Sequence, residues 1–405
     1  MTIYIIYILM TFILSLFYDQ TEEYSGKKRF WYRFTCLFLI LIAGLRNGVG
    51  GDTQAYMSYF EDAPTNPADY GMYIEQMQLI GGYMPGWTFF TLLCKRWFDS
   101  FYVVQFIQAL IVNTCFFYIF RQYTTRIFLC ALLYGITGQF FNFNTEVMRE
   151  GIAVGLCLVG MHQYLQGKKK WFYILVVCSI FFHISALIAF LFPFVNFKKI
   201  SFKKLIIAFI ISFGIWAISD SIVSTITKHI MGDEGIADKL LLYSNQKSSI
   251  FGFLLLALQY FVIQGGITYF AQKGREDDEE WMKKYNRFIS FYLVIAIIAC
   301  GISGFTRLLN YTMPIYIILL AEFLGDLSQS MRYFAVTKLI LVAGFIWSMH
   351  FFYMYYYPET ERRHYEFFVP YTSVFDENAD NTYRYNMYVE AVTPQTQDAK
   401  NTRDF

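Results

Sequence analysis

Charged residues are scarce in this sequence. Asp, Glu, Lys and Arg make up only 16% of its 405 residues, whereas a soluble domain carries about 25%. Hydrophobic residues make up 56% and aromatic residues 21%. This composition excludes a soluble enzyme, a disordered chain and a disulfide scaffold, and it predicts a polytopic membrane protein. The formal net charge of +2 predicts no nucleic-acid partner.

The motifs of common metal and cofactor sites are also missing. The seven cysteines lie in or beside apolar runs and none forms a CxxC pair, so no metal or redox site is expected. There is no Walker loop, no GxGxxG and no HExxH. The acidic stretch 276–280 lies among charged residues and is interpreted as solvated. We therefore predict a protein without metal or cofactor that is not driven by nucleotide hydrolysis.

Ten apolar runs approach the roughly 20 residues that a helix needs to span a bilayer. They cover residues 2–17, 33–46, 101–120, 127–144, 150–166, 204–222, 250–272, 288–303, 306–323 and 334–355. We predict an all-α polytopic integral membrane protein with about ten transmembrane helices in a membrane domain of residues 1–355. Residues 356–405 form a polar tail that we predict to be partly disordered.

Two further apolar segments do not fit a simple crossing. The apolar part of 85–98 is too short, and 171–197 is interrupted by His183. If 171–197 breaks or re-enters near His183 and 85–98 stays on the outer face, every basic cluster becomes cytoplasmic, as the positive-inside rule requires. The loops 47–100 and 223–249 and both termini are then outside. A single tilted span at 171–197 is the alternative.

This topology puts three isolated arginines, Arg46, Arg149 and Arg307, at the outer ends of helices. A lone arginine at membrane depth costs about 2.5–3.5 kcal/mol, and it is tolerated when it faces a polar cavity or forms an ion pair. Each of them could instead extend its side chain to the interface. Three arginines on one face favour a shared anionic site over three separate coincidences.

Arg46 opens the segment RNGVGGD, where three glycines within four positions let the backbone turn tightly and approach a ligand. Asp52 with Thr53 can cap the following helix, which carries Tyr56. The segment is either an ordinary helix exit or a site with Arg46 on a phosphate and Asp52 on a sugar hydroxyl or on Arg46. Trp87 is a candidate for stacking on a sugar, although an interfacial anchor is the simpler role.

Two carboxylates flank Arg149 in the stretch NTEVMREGIAVGL. Glu146 precedes it by three residues, a spacing at which helical side chains pair, and Glu150 follows it directly. The pattern indicates either a buried ion network or an anion site with a general base, and the spacing does not separate the two.

Two more polar positions interrupt apolar segments. His183 is interpreted as a hinge residue or, at a half-helix break, as a proton acceptor or a donor to phosphate. Arg307 and Tyr311 are one α-helical turn apart, so we predict that they share a helix face suited to phosphate or sugar recognition. The tyrosine could equally belong to an interfacial aromatic belt.

Six segments together resemble the EpsG-type, Wzy-like bacterial polysaccharide polymerases. They are GLRNGVGGDTQAYMSYF (44–60), MPGWTFF (84–90), EVMREGIAVGL (146–156), FFHISALI (181–188), RLLNYTMP (307–314) and VPYTSVF (369–375). The resemblance covers roughly residues 30–375 in the right order, and its first motif is the most specific. The departures are the acidic pair around Arg149 and the tail after 376, which we expect to be peripheral.

The resemblance implies a multi-pass enzyme of the bacterial plasma (inner) membrane with a periplasmic or extracellular active face. Such membrane glycosyltransferases polymerise oligosaccharide repeat units carried on undecaprenyl diphosphate into exopolysaccharide, capsule or O-antigen, without a cofactor. The expected partners are the lipid-linked oligosaccharide, the lipid bilayer, and flippase and chain-length regulator proteins.

The residues can be given roles on this hypothesis. Arg149 and Arg307 would hold the diphosphate leaving group. Asp52 would take the proton of the acceptor hydroxyl, with His183 or Glu150 as the alternative base. The candidates for substrate contact are Arg46, Tyr56, Glu150, Tyr311 and Trp87.

Other function classes stay open. A lipid-linked oligosaccharide flippase or exporter needs charged residues near the bilayer midplane, whereas the isolated cations here lie at one face. An O-acyltransferase would need His183 near the cytoplasmic donor. A polysaccharide ligase shares the donor chemistry, and the sequence separates it poorly from a polymerase.

Overall fold

The computed structural model describes residues 2–19, 23–197, 199–219, 221, 248–275, 277–328, 356–376 and 379–392. The predicted span 334–355 and nearly all of the predicted loop 223–249 lie outside these residues. The described part of the chain is mainly helical.

The helices follow the apolar runs of the sequence. The first nine are α1 (Thr2–Tyr18), α2 (Gly26–Gly44), α3 (Gly51–Glu61), α4 (Tyr70–Gly81), α5 (Pro85–Phe98), α6 (Phe101–Tyr123), α7 (Ile127–Ile136), α8 (Gln139–Phe141) and α9 (Met148–Leu165). They continue as α10 (Lys169–Phe182), α11 (Phe202–Ala217), α12 (Ile250–Ala257), α13 (Gly265–Lys273), α14 (Glu279–Gly301), α15 (Met313–Ser328) and α16 (Thr382–Val392).

Shorter or irregular elements interrupt this series. The 3₁₀ segments are Pro67–Asp69, Ile184–Leu191, Ser303–Tyr311 and His364–Phe367, and the π-helical segments are Asn142–Glu146 and Leu258–Gln264. Two short strands, β1 (Tyr356–Tyr357) and β2 (Arg362–Arg363), pair antiparallel in the tail.

α6 and α9 pack closely in the interior of the bundle. Val112, Phe116 and Phe120 of α6 are fully buried, and their spacing of four puts them on one helix face. α9 meets α6 with small residues: a Cβ on Gly155 would lie only 3.1 Å from the Cβ of Cys115. Small residues let two helix backbones approach closely, so the ends of these helices are held in a fixed relation.

In the described part of the chain, fewer helices are long and apolar enough to span a membrane than the sequence predicts. Three of the described helices are long and apolar enough: Phe101–Tyr123, Ile250–Lys273 and Glu279–Gly301. The number rises to five if two bent pairs each count as one span, Ile127–Ile136 with Gln139–Glu146 and Gly304–Tyr311 with Met313–Asp326. The predicted count of about ten is not confirmed, because several apolar runs fold as shorter helices, such as α1 and α11, or bend within the run.

The chain reverses direction at His183. α10 ends at Phe182, His183 is extended, and the 3₁₀ helix Ile184–Leu191 follows. The ring of Phe190 stacks on that of Tyr173, with the centroids 6.3 Å apart, whereas a straight helix would separate them by about 25 Å. The predicted break near His183 is therefore confirmed, and the segment folds back along α10.

Arg307 lies on a 3₁₀ helix and not on an α-helix. Ser303–Tyr311 has three residues per turn, so positions four apart point about 120° away from each other. Arg307 is exposed, whereas Tyr311 is only 1% exposed. The prediction that the two share a helix face is wrong because it assumed α-helical spacing.

An ion network closes the end of the bundle where α6 ends. Arg126 contacts Glu322 (Nη1–Oε2 3.2 Å) and Asp326 (Nη2–Oδ1 2.7 Å). Arg275 contacts the same two carboxylates, at 2.6 and 3.0 Å. Thr124 donates a further hydrogen bond to Glu322. Two arginines and two carboxylates neutralise one another here, and they tie together the chain segments that carry them.

The tail folds onto the turn between α2 and α3. Arg46 and Ser373 form an antiparallel β-bridge, and Phe367 and Phe368 pack with Val49 in a small separate core. Beyond residue 376, Asn381 Nδ2 donates to the Asn47 carbonyl and Met387 belongs to the same small core, so the expectation that the tail after 376 is peripheral is wrong for residues 379–392. Its partial disorder stays a prediction, and residues 393–405 lie outside the described part of the chain.

Candidate active site

The Arg46 side chain is buried under the turn between α2 and α3 and forms hydrogen bonds with it. It is 1% exposed. The guanidinium donates hydrogen bonds to the carbonyls of Ala43 and Val49, to the Thr53 hydroxyl and to Met148 Sδ. The structure corrects the predicted contacts of Arg46 with a phosphate and with Asp52, because its donors are directed to groups inside the protein.

Glu146 caps the N-terminus of α3. Gly138, with φ +75°, lies where the chain bends by 80° between α7 and the segment that ends at Glu146. The Glu146 carboxylate accepts hydrogen bonds from the backbone N–H of Gly51 at 2.8 Å and of Asp52 at 3.1 Å. A carboxylate at the N-terminus of a helix accepts hydrogen bonds from free N–H groups and interacts favourably with the helix dipole. The predicted cap by Asp52 and Thr53 is therefore replaced by a long-range one.

Asp52 lies in the first turn of α3 and is exposed in a recess of the surface. Desolvation by the surrounding protein, followed by the charge of Glu146, raises the pKa of Asp52 to about 7, although Arg307 and Arg149 act in the opposite direction. Among the described residues, no donor forms a hydrogen bond with its carboxylate. A carboxylate with this pKa and open access can take a proton from a hydroxyl group near neutral pH.

Arg149 opens α9 and is held by aromatic rings. Its guanidinium carbon lies 3.8 Å from the centroid of the Tyr83 ring. The guanidinium also donates to the Tyr56 hydroxyl at 3.5 Å and to the Gly82 carbonyl at 3.3 Å. These contacts orient the side chain without neutralising its charge, so the charge stays available to an anion.

Glu146 and Glu150, which flank Arg149 in the sequence, form no ion pair with it. Glu146 ends a π-helical segment, and Val147 has φ −100° and ψ 53°, so the predicted helical spacing of three does not apply. Glu150 is 1% exposed and its Oε1 faces Ser185. The predicted direct pairing of Glu146 with Arg149 is therefore wrong.

Trp87 lies behind Tyr56. The two ring centroids are 5.3 Å apart, and Trp87 is only 2% exposed. Both predicted roles, stacking on a sugar and anchoring at the interface, are corrected, because a buried indole presents no face to either environment. Tyr56 is buried too, and it contacts Arg149. The two rings support the arginine from behind.

Arg307 stands open at the surface of its 3₁₀ helix. Among the described residues it has no hydrogen bond and no ion pair. Its charge nevertheless acts on the carboxyl groups of both Asp52 and Glu150. Arg307 therefore lies close to both acidic groups and directly contacts neither.

A polar cluster behind Arg307 centres on Ser185, a residue that the sequence analysis missed. The Ser185 hydroxyl lies 2.5 Å from His183 Nδ1, 2.9 Å from the Tyr311 hydroxyl and 3.5 Å from Glu150 Oε1. The Asn310 side chain lies near the Glu150 carboxyl group as well. Ser185 follows His183 by two positions in an otherwise apolar stretch, and this polar pair would have allowed Ser185 to be predicted from the sequence.

The second carboxylate oxygen of Glu150, Oε2, lies on the buried side of this cluster. Glu150 Oε2 is buried and has no hydrogen-bond partner among the described residues. A buried polar atom without a partner is expensive and uncommon in folded proteins. The charges of Arg307 and Arg149 act on this carboxyl group and favour its ionised form.

The structure thus divides the predicted site residues into three groups. The open charged groups, which form no ion pair among the described residues, are the exposed Asp52 and Arg307 and the half-buried Arg149. The polar cluster behind them contains His183, Glu150 and Tyr311, and the buried supports are Arg46, Tyr56 and Trp87. In the described part of the chain, no group of three or more His, Cys, Asp or Glu residues is arranged to hold a metal ion. Two guanidinium groups can bind an anion, and the accessible carboxylate beside them can accept a proton.

One comparison with known proteins gives a match. The sequence model of the EpsG family matches residues 29–373, which is most of the chain. No curated protein and no solved structure matches the chain significantly.

Proposed function

The chain belongs to the EpsG family, and from this premise we propose that it polymerises lipid-linked oligosaccharide repeat units into a polysaccharide. Family membership supports a polymerase-type role in polysaccharide biosynthesis within a membrane. The proposal adds that the donor is a glycan on undecaprenyl diphosphate and that the reaction occurs at the outer face of the bacterial plasma membrane. The product would be an exopolysaccharide, a capsule or an O-antigen.

The proposed reaction transfers the growing chain to the next repeat unit. A hydroxyl oxygen of the acceptor sugar attacks the anomeric carbon of the lipid-linked chain and forms the new glycosidic bond. The bond from that carbon to the diphosphate oxygen breaks, and undecaprenyl diphosphate leaves with the electron pair. The hydroxyl proton passes to a carboxylate of the protein. One direct displacement inverts the configuration at the anomeric carbon.

The observation that carries the proposal is the open pair of arginines. Arg149 and Arg307 lie near the same carboxylate, and no carboxylate of the described residues contacts either of them. Guanidinium groups bind phosphate oxygens with two parallel hydrogen bonds, and their charge stabilises a leaving diphosphate. In this proposal they hold the diphosphate, and Tyr83 keeps Arg149 in position.

Asp52 is the general base in the proposal. It is exposed beside the arginines, and its pKa of about 7 makes it a stronger proton acceptor than an ordinary aspartate. His183 enters as a positioning residue, because Ser185 links it to Tyr311 and to Glu150, which lies near Arg307. Glu150 is buried behind the arginines, so Asp52 is the better placed acceptor for a substrate proton.

A strain that lacks this chain tests the proposal. Its lipid-linked glycan is extracted, sized by mass spectrometry, and probed for exposure on the outer face of the membrane. We expect a single repeat unit on undecaprenyl diphosphate, exposed outside, and no polymer. Repeat units retained inside would instead indicate a flippase, and full-length polymer without an ester group an acyltransferase. Long lipid-linked polymer that never reaches its acceptor would indicate a ligase.

A further inference from the structure

Backbone hydrogen bonds join the C-terminal tail to the turn that presents Asp52. They run from Val374 N to Leu45 O (2.9 Å), from Asn47 N to Thr372 O (2.8 Å) and from Gly50 N to Phe367 O (2.9 Å). The tail therefore pairs with the turn through backbone hydrogen bonds around a single antiparallel β-bridge. More than 300 residues separate the two partners in the sequence, so this contact is set by the fold.

Two side chains of the tail add to this contact. The carbonyl oxygen of Asn47 accepts hydrogen bonds from the Thr372 hydroxyl at 2.6 Å and from Asn381 Nδ2 at 3.1 Å. Gly48 packs directly against Asn381, since a Cβ on Gly48 would come within 3.2 Å of the Asn381 Cβ. The tail thus contacts backbone groups along the whole length of the turn.

Arg384 holds the tail in the shape that makes these contacts. It is fully buried and donates to the Glu366 carbonyl (3.2 Å), the Thr372 hydroxyl (2.8 Å), Asn381 Oδ1 (2.5 Å) and the Pro370 carbonyl. All four acceptors are neutral, and no carboxylate pairs with this guanidinium among the described residues. One side chain therefore connects three separate stretches of the tail, including both residues that bind Asn47.

The turn depends on such outside partners. Gly48 has φ +63° and Gly50 has φ +110°, conformations that glycine adopts readily and that it also leaves readily. Without the tail, Asn47 and Gly50 would lose their backbone partners, and the glycines would give the turn many other conformations. Asp52 follows two residues after Gly50, so the shape of the turn sets the position of its carboxylate.

The tail helix α16 also comes near the carboxylate itself. Tyr388, which packs against the small core of the tail, lies close enough to Asp52 to respond to its charge. The tail therefore contacts the turn on one side and approaches Asp52 on the other. Both observations point to the same functional group.

We propose that tail residues 366–376 and 381–392 are a positioning element of the active site, with Arg384 as its central positioning residue. The inference rests on the proposed function in one respect, the role of Asp52 as the base. It assigns the tail the task of holding the glycine turn in the one conformation that presents Asp52 beside the arginines.

The test uses the full-length protein in lipid nanodiscs and the variant Arg384→Met, which keeps the apolar stem and removes the donors. Arg362→Met is the matched control, because Arg362 is an arginine of the same tail that contacts Glu366 and the Tyr383 ring but no residue of the turn. Amide hydrogen exchange over residues 45–52 is measured in both. The pH profile of kcat is measured with the lipid-linked repeat unit as substrate.

In R384M we expect exchange in the turn to accelerate at least tenfold and kcat to fall about 10-fold to 100-fold. The acid limb of the kcat profile should move to lower pH, because a loosened turn exposes Asp52 to more water and lowers its raised pKa. R362M should leave all three readouts unchanged. If R384M does not fold, Arg384→Lys, which retains the charge and loses the fork, takes its place.

Unchanged exchange over residues 45–52 in folded R384M overturns the inference, whatever its activity. A lower yield of protein with normal exchange and a normal pH profile also overturns it, since the tail would then serve stability alone. The proposed function fails if the unchanged protein does not extend the lipid-linked repeat unit, and exchange in R384M still tests the contact between tail and turn. The role of Asp52 fails in a different way: Asp52→Asn would keep full activity while exchange in R384M still rises. That result removes the base and leaves the contact between tail and turn intact.

Discussion

The two ends of the helical bundle use arginine in opposite ways. At one end, Arg126 and Arg275 are each in contact with Glu322 and Asp326. At the other end, Arg149 and Arg307 lie near acidic groups without touching any of them. The residue types are the same, but one set is neutralised within the protein and the other is not.

The placement of the carboxylates explains the difference. Glu322 and Asp326 are four residues apart on α15, so both reach the same pair of guanidinium groups. Glu146 is instead engaged by the backbone N–H groups of α3, and Glu150 lies behind Arg307 with Ser185 and Asn310. The arginines of the closed network are therefore matched by carboxylates, whereas Arg149 has aromatic and neutral partners and Arg307 contacts no carboxylate of the described residues.

Lysine in place of either open arginine should give the largest effect. For Arg149→Lys and Arg307→Lys we expect kcat/KM to fall about 10³-fold, because lysine keeps the charge but loses the bidentate fork. Polymer length and rate are measured in membranes that contain equal amounts of folded protein. Arg121→Lys, at the opposite end of the bundle, is the control and should behave as the original chain. Normal polymer from both lysine variants would contradict the diphosphate contact.

Removal of the accessible carboxylate should have the next largest effect. We expect Asp52→Asn to lower kcat about 10²-fold. In the unchanged protein, kcat should fall as the pH drops below about 7, because protonation removes the base. A pKa raised in the folded state means that ionised Asp52 opposes folding above its ordinary pKa, so D52N should not lower the melting temperature at neutral pH. A pH profile that is flat down to pH 5 would show that another group is the base.

The closed ion network should respond in stability and not in rate. Glu322→Gln leaves two partly buried arginines with one carboxylate, and we expect a loss of about 2 kcal/mol in unfolding free energy. Thermal unfolding in detergent measures this loss, and kcat per folded molecule should stay the same. Asp326→Asn should cost less, since its side chain is 41% exposed. A selective loss of kcat in folded E322Q would mean that the two ends are coupled.

The aromatic support of Arg149 should give the smallest effect. Trp87→Phe keeps an apolar ring behind Tyr56, and we expect it to cost about 1 kcal/mol of stability while KM for the glycan stays unchanged. A sugar stacked on Trp87 would contribute more, and its loss would raise KM by tenfold or more. The ratio of KM values between W87F and the unchanged chain decides between packing and binding.

Three charged residues of the candidate site carry a local signal in the sequence. Arg149, Arg307 and Asp52 stand out because an isolated charge beside an apolar run is uncommon and must have a partner, a ligand or an exit to water. The break at His183 was also predictable, since a polar residue interrupts an apolar stretch too long for one short helix. In both cases a local signal reflects a local cause.

Other features depend on contacts that no local pattern contains. Arg46 carries the same sequence signal as Arg149, yet its donors meet carbonyls and a hydroxyl inside the turn. The contact between Asn47 and Thr372 spans 325 residues. The helix around Arg307 is wound at three residues per turn, and its sequence is equally compatible with 3.6. Long-range partners and helix type were therefore the main sources of error.

The cap on α3 has a consequence for selectivity. A glycine-rich turn that leads into a helix N-terminus is an attractive place for phosphate, because free N–H groups and the helix dipole converge there. Glu146 already occupies this place, so an incoming phosphate meets a fixed negative charge in front of saturated donors. Glu146 therefore blocks the glycine-rich turn, which the sequence suggests as a phosphate site. Under the proposed function, the lipid diphosphate would be repelled from the turn and left to the arginines beside it.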